Sequence, residues 1–189
     1  MNKSFFNLNR TIVEIEQFIL KKNGGFPNNA LLPVLLYKNV LQVPDEKGGK
    51  FVQKVFEQNN WGNTWTDGIY SYHHYHSITH EAVGIISGHC NVMLGGENGQ
   101  VIKVNKGDVL ILPAGTAHKN VGASEDFCCA GGYPGGADYD INYGTSDEHP
   151  LVDENIKQVP LPETDPVFGK EGMLFEYWLR ETANVKRQT

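Results

Sequence analysis

Two histidines stand two residues apart at His74 and His76, with a carboxylate five positions on at Glu81 and glycines framing the stretch at Gly68 and Gly88. Twenty-six residues after Glu81 a second segment begins and reads Gly107-Asp-Val-Leu-Ile-Leu-Pro113-Ala-Gly115-Thr-Ala-His118. On a strand, side chains alternate faces with a period of two, so His74 and His76 point the same way. Glu81 and the distant His118 can complete one site with them. Three imidazoles and one carboxylate suit a divalent transition metal (iron, manganese, nickel, cobalt or zinc) better than calcium or magnesium, which prefer all-oxygen shells.

The rest of the chain decides what can carry such a site. From Gly68 onward it breaks into short apolar runs separated by turn residues. Asn98-Gly99 predicts a hairpin between His89–Leu94 and Gln100–Val104. Asn105-Lys106-Gly107 predicts a turn ahead of the apolar run Val109–Leu112, and further strands are expected at Phe127–Ala130, Ile156–Val159 and Met173–Trp178. Upstream, Thr11 with Glu14 has the form of a capping box. Ile12, Ile15 and Ile19 follow at helical spacing, so a helix is expected over residues 11–22, stopped by Gly24-Gly25. A second helix is expected over residues 49–59. The run Ala30–Tyr37 is strand-like, and Pro33 within it predicts an edge or bulged strand. Many short strands without α/β alternation imply an all-β jelly-roll barrel. We expect N-terminal helices and an edge strand in residues 1–62, the barrel in 63–179 and a tail at 180–189.

Both segments resemble the signature motifs of the cupin superfamily, G-x5-H-x-H-x4-E-x6-G and G-x5-P-x-G-x2-H-x3-N. The first fits at every fixed position. The second fits through His118 and departs at its last position, where Gly122 stands in place of asparagine. Asn120 shares the face of His118 and can take over part of the missing residue's role. The strings YHHYHSITHEAVG, PAGTAHKN and GGYPGGADYDINYG resemble the small bacterial YjlB-type cupins over most of the chain. The resemblance implies the jelly-roll fold and a mononuclear metal held by His74, His76, Glu81 and His118.

Strand phase supplies the rest of the pocket. If His74 and His76 face inward, so do Tyr70 and Tyr72; if Glu81 does, so do Val83 and Ile85. Tyr70, Tyr72 and Asn120 are the candidate substrate contacts, and Glu81 can double as a catalytic base. His73 is out of phase and should face away. His80 does not complete a His-Glu-x-x-His zinc-protease motif, because Gly84 occupies the last position, and it reads as a turn residue. The long Gly131–His149 segment is a candidate cap for the barrel mouth, through Asp138-Tyr139-Asp140. Cys128 and Cys129 sit on opposite faces of one strand, so at most one faces the site.

Composition narrows the function. A net charge of -6 with arginine only at positions 10, 180 and 187 argues against nucleic-acid and membrane-surface partners. No apolar run approaches the roughly 20 residues that span a bilayer. Three cysteines, two of them adjacent, make no disulfide framework, which points to the cytoplasm. The leading expectation is a small-molecule oxidoreductase of the dioxygenase type. The alternatives are a metal-dependent isomerase or lyase of a sugar or hydroxy-ketone, and a non-enzymatic metabolite sensor. An apolar edge at Leu31–Leu36 predicts a homodimer.

Overall fold

The computed structural model describes residues 2–8 and 11–178. Ten strands form two antiparallel sheets. The strands are β1 (Asn2–Leu8), β2 (Thr11–Phe18), β3 (Val34–Lys38), β4 (Trp61–Asp67), β5 (Glu81–Ser87), β6 (His89–Leu94), β7 (Gln100–Asn105), β8 (Val109–Leu112), β9 (His118–Ala123) and β10 (Cys128–Pro134). The larger sheet runs β1-β2-β3-β8-β5-β10-β4 and the smaller β7-β6-β9. Two α-helices, α1 (Gly48–Gln58) and α2 (Leu151–Gln158), and a 3-10 turn at Ser146–Glu148 accompany the strands. No helix among the described residues is long and apolar enough to cross a membrane.

The middle of the larger sheet is buried on both faces, which explains why β5 and β8 do not alternate apolar with polar. On β8, Leu110 and Leu112 join Val83, Ile85 and Val92 between the two sheets. Val109 and Ile111 pack the other way with Val52, Phe56 and Trp178. Each fully buried residue of this size contributes about 1.5–3 kcal/mol. Helix α1 lies directly on β5. A Cβ at Gly84 would stand 2.6 Å from Val52 Cγ1, so the helix reaches its seat only over a glycine. The Asn98-Gly99 hairpin forms as expected, with Leu94 opposite Gln100 and Asn98 at φ 58°.

Four local expectations are overturned. Residues 11–18 are a strand: Val13 and Ile15 are buried on one face, Glu14 and Glu16 beside them are only partly buried, and residues 14–18 pair with β3, a period of two that outweighs the capping-box signal. Among the described residues one α-helix, α1, therefore precedes β4. Strand β3 is internal, because β2 and β8 flank it and Pro33 precedes the strand. The homodimer expectation rested on an open edge there, and β2 of the same chain occupies it. Residues 151–158 are helix α2, with Asp153 and Glu154 in its first turn and Lys157 in its last, charges that suit the helix dipole. Residues 174–178 are a helical turn, with Met173, Leu174 and Trp178 packed under the sheet. The expected tail at 180–189 lies outside the described residues.

Candidate metal centre

Between the sheets, at one end, four side chains from three places in the sequence come together. Glu81 opens β5 in the larger sheet and His118 opens β9 in the smaller. His74 and His76 come from the irregular segment before β5. A two-way backbone bridge holds that segment extended, His74 N–H to His118 O at 3.2 Å and His118 N–H to His74 O at 3.0 Å. Tyr75 bridges Asn142 on the other side. The chain is thus extended at the point where the His-x-His phase matters.

The hydrogen bonds of the rings fix their tautomers. His74 Nδ1 lies 3.3 Å from Tyr72 O, His118 Nδ1 lies 3.0 Å from Thr116 O, and His76 Nδ1 contacts Asp140 O. A carbonyl oxygen only accepts, so each Nδ1 carries the proton and each neutral ring presents its Nε2 lone pair. His76 Nε2 and His118 Nε2 stand 3.4 and 3.6 Å from Glu81 Oε2. That oxygen is buried and has no hydrogen-bond partner. Lone pairs facing a carboxylate oxygen repel unless a proton or a metal cation lies among them.

The electrostatics agree. Burial would raise the Glu81 carboxyl, but the imidazoles, His76 foremost, hold it down to about 2. Burial takes His74 down to about 3 and lowers His118 as well. For His76, burial is outweighed by Glu81 and its pKa rises. His76 is thus the ring whose protonated form the Glu81 carboxylate favours.

No group of three or more His, Cys, Asp or Glu side chains among the described residues stands in ready metal-holding geometry. The arrangement is nonetheless near it. Two donors each about 2.1 Å from one ion in a tetrahedron lie roughly 3.4 Å apart, close to the separations at Glu81 Oε2. His74 leans on His118 with ring centroids 4.2 Å apart. The donor set, its fixed tautomers and the orphaned oxygen fit a transition metal, with a small movement of the rings to close the shell.

The site opens into a cavity of about 170 Å³, lined by these four residues and by Trp65, Thr66, Asp67, Ile69, Tyr70, Val83, Tyr133, Tyr139 and Ile141, with Gly68 at its edge. Tyr70 lines it from a half-exposed position. Tyr72 does not; it stacks on Tyr70 at 4.9 Å outside the cavity, because residues 70–73 are not a regular strand and the expected phase is lost. Asn120 also stays out: its Oδ1 accepts the Gly122 N–H at 2.8 Å and holds the strand end where Gly122 departs from the motif. His73 faces away, packed on Phe26. His80 is a core residue, its ring tilted against Trp178 and accepting the Ala114 N–H. Cys129, the cysteine on the inner face, is buried among the apolar side chains there and does not line the cavity.

Two contributors, Tyr133 and Trp65, were not identified from the sequence, and Asp140 was read only as part of a cap for the barrel mouth. Tyr133 on β10 donates to Glu81 Oε1 at 3.0 Å, and Trp65 Nε1 donates to the Tyr133 hydroxyl at 2.9 Å. The Asp140 carboxylate caps the Ser77 and Ile78 N–H groups, tying the 135–149 loop to the His76 segment. The Gly-Gly-Tyr-Pro-Gly-Gly string marks the place of Tyr133 but not its partner, 52 residues away.

The same loop ends in a pH-sensitive clasp. His149 Nδ1 faces Asp153 Oδ2 at 2.7 Å and Nε2 faces Gly25 O at 3.0 Å. Both partners are acceptors, so only the imidazolium satisfies both, and the pKa is raised, first by the Asp153 hydrogen bond. A histidine pKa raised by folding stabilises fully below the ordinary value near 6.5, and this is lost as pH climbs through the folded value. His149→Ala is accordingly expected to cost about 0.5–1 kcal/mol more at pH 5 than at pH 8, in urea unfolding at both pH values. An equal cost at the two would contradict the clasp.

Two antiparallel sheets packed face to face, with a histidine and carboxylate cavity at one end, define a jelly-roll of the cupin kind. No family model matches the chain. The uncharacterized protein YjlB of Bacillus subtilis strain 168 is 34% identical over 167 residues, 88% of this chain and 98% of YjlB. The chain belongs to the YjlB-type cupins. Among solved structures, acireductone dioxygenase from Bacillus anthracis, with a cadmium ion in its active center, is 16% identical over 58% of this chain and 83% of its own, at a TM-score of 0.39. A DUF861 family protein from Thermotoga maritima is 21% identical over 48% and 92%, at 0.29. Likeness at that level transfers neither residues nor reaction.

Proposed function

We propose that this protein is a small-molecule metalloenzyme of the oxidoreductase, dioxygenase type, with one divalent transition metal held by His74, His76, Glu81 and His118. One observation carries the reading: imidazoles whose Nδ1 protons are committed to carbonyls converge on a buried carboxylate oxygen that has no other partner. Bound there, iron or manganese would supply Lewis-acid and one-electron chemistry.

The cavity sets the substrate class. None of its lining side chains is Lys, Arg, Asn or Gln, so phosphate has no cationic anchor. Aromatic and aliphatic walls at Trp65, Ile69, Tyr139 and Ile141 favour a small, partly apolar ligand, such as an enol, whose oxygen enters between the histidines. Glu81 Oε2 is the group placed to take a proton from it. The Asp140 loop, with Tyr139 stacked on Tyr133 at 4.7 Å, closes one wall and keeps bulk water from that side.

The test is oxygen uptake by iron- or manganese-loaded protein with a panel of enols, thiols and sugars. Substrate-dependent uptake is expected, and it should be lost in Glu81→Gln and His118→Ala. Equal turnover under strict anaerobiosis would instead establish the isomerase or lyase, and tight binding with no turnover the sensor.

A further inference from the structure

Tyr133 occupies a position that decides how Glu81 can be used. Its hydroxyl has one proton to give. The Trp65 indole N–H is a donor only and fills the acceptor side of that hydroxyl at 2.9 Å, so the phenol proton is turned to Glu81 Oε1, 3.0 Å away. The indole is seated over β10 at Gly131, directly opposite Trp65 in the pairing, where a Cβ would stand 2.1 Å from the ring. Tyr133 lies two residues further along the strand, and Tyr139 stacks on its outer face. The donor chain Trp65 to Tyr133 to Glu81 is therefore fixed at each step by a neighbour.

We propose that Tyr133 is a positioning residue that commits one carboxylate oxygen of Glu81, Oε1, and leaves Oε2 alone to face the imidazoles. This rests on the metal reading above. It has a consequence that the four ligands by themselves do not: metal ligation and proton acceptance compete for a single oxygen. Glu81 serves as a one-oxygen ligand while Oε2 is on the metal, and as a base only when Oε2 leaves it. Removing the Tyr133 hydroxyl frees Oε1, so that the carboxylate can turn, bind through both oxygens or swing out of the site.

The test is cobalt(II) titration of the metal-free protein, read by both the dissociation constant and the visible bands of the bound ion. Tyr133→Phe is expected to weaken cobalt binding about tenfold to a hundredfold and to shift the bands, as for loss of a hydrogen bond that orients a ligand. Trp65→Phe, which removes the N–H that turns the phenol together with part of the ring packed over Gly131, should shift both in the same direction by a smaller factor. Tyr37→Phe, which removes a buried phenol hydroxyl bonded to Asp165 away from the cavity, should leave both at wild-type values. A folded Tyr133→Phe with wild-type affinity and bands overturns the proposal. If circular dichroism shows that this variant does not fold, Trp65→Phe decides in the same way. Failure of the underlying reading looks different: cobalt affinity would then be unchanged in His76→Ala as well.

Discussion

Alanine at His76 is expected to strip the protein of its metal. The purified wild type should carry transition metal, and His76→Ala should fall to background. His76 is the ring that faces Glu81 Oε2 most closely, at 3.4 Å, and its own position is held by Asp140 O. The readout need not be activity. Metal at a hundred times its dissociation constant stabilises the native state by about 2.7 kcal/mol, a gain that the variant should lack. The metal-free variant should also be weaker than the metal-free wild type, because Glu81 loses the imidazole that does most to offset its burial. Comparing the metal-induced shift in each protein, not the absolute stability, separates the two effects. Affinity in the wild type should fall as pH drops below the raised His76 pKa, where a proton competes for Nε2. A His76→Ala protein that retains stoichiometric metal would remove the assignment.

Asp165→Ala should be the most damaging single change away from the cavity. Asp165 is fully buried. Its carboxylate accepts the Tyr37 hydroxyl at 2.7 Å and the N–H groups of Val167, Phe168 and Leu174 at 2.8, 3.0 and 3.2 Å. It thus fastens the segment after α2 to β3 in the middle of the larger sheet. Alanine leaves four donors without an acceptor, and we expect a loss of about 3–5 kcal/mol, or roughly 10 °C in Tm. Tyr37→Phe removes one of the four bonds and should cost about 1 kcal/mol. Thermal unfolding of the three proteins checks the order. A loss below about 1 kcal/mol for Asp165→Ala would mean that water reaches these groups and that the segment is not docked as described.

The contrast between these two sites shows where sequence is informative. The face of Glu81, Val83 and Ile85 was legible because β5 is a regular strand and alternation is a property of the backbone. The hairpin was legible because Asn98 and Gly99 tolerate the backbone angles that such a turn requires. Tyr72 was misplaced by the same rule, applied across a segment that is extended only around His74 and Tyr75. Residues 11–18 and 151–158 were misread because runs this short fit either period; which one forms depends on the sheet or the loop that receives them. Tyr133, Trp65 and Asp165 act through partners 52, 68 and 128 positions away. Nothing local in the sequence specifies such a pairing.

The central claim is a metal held by three imidazoles and one carboxylate. X-ray absorption at the metal edge of iron- or cobalt-loaded protein tests it most directly. The account predicts a first shell at about 2.0–2.3 Å that contains three imidazole nitrogens, with the multiple-scattering pattern of the rings, and at least one oxygen. The nitrogen count should drop by one in His118→Ala. A shell of oxygen alone, or the same imidazole count with His118 removed, would contradict it.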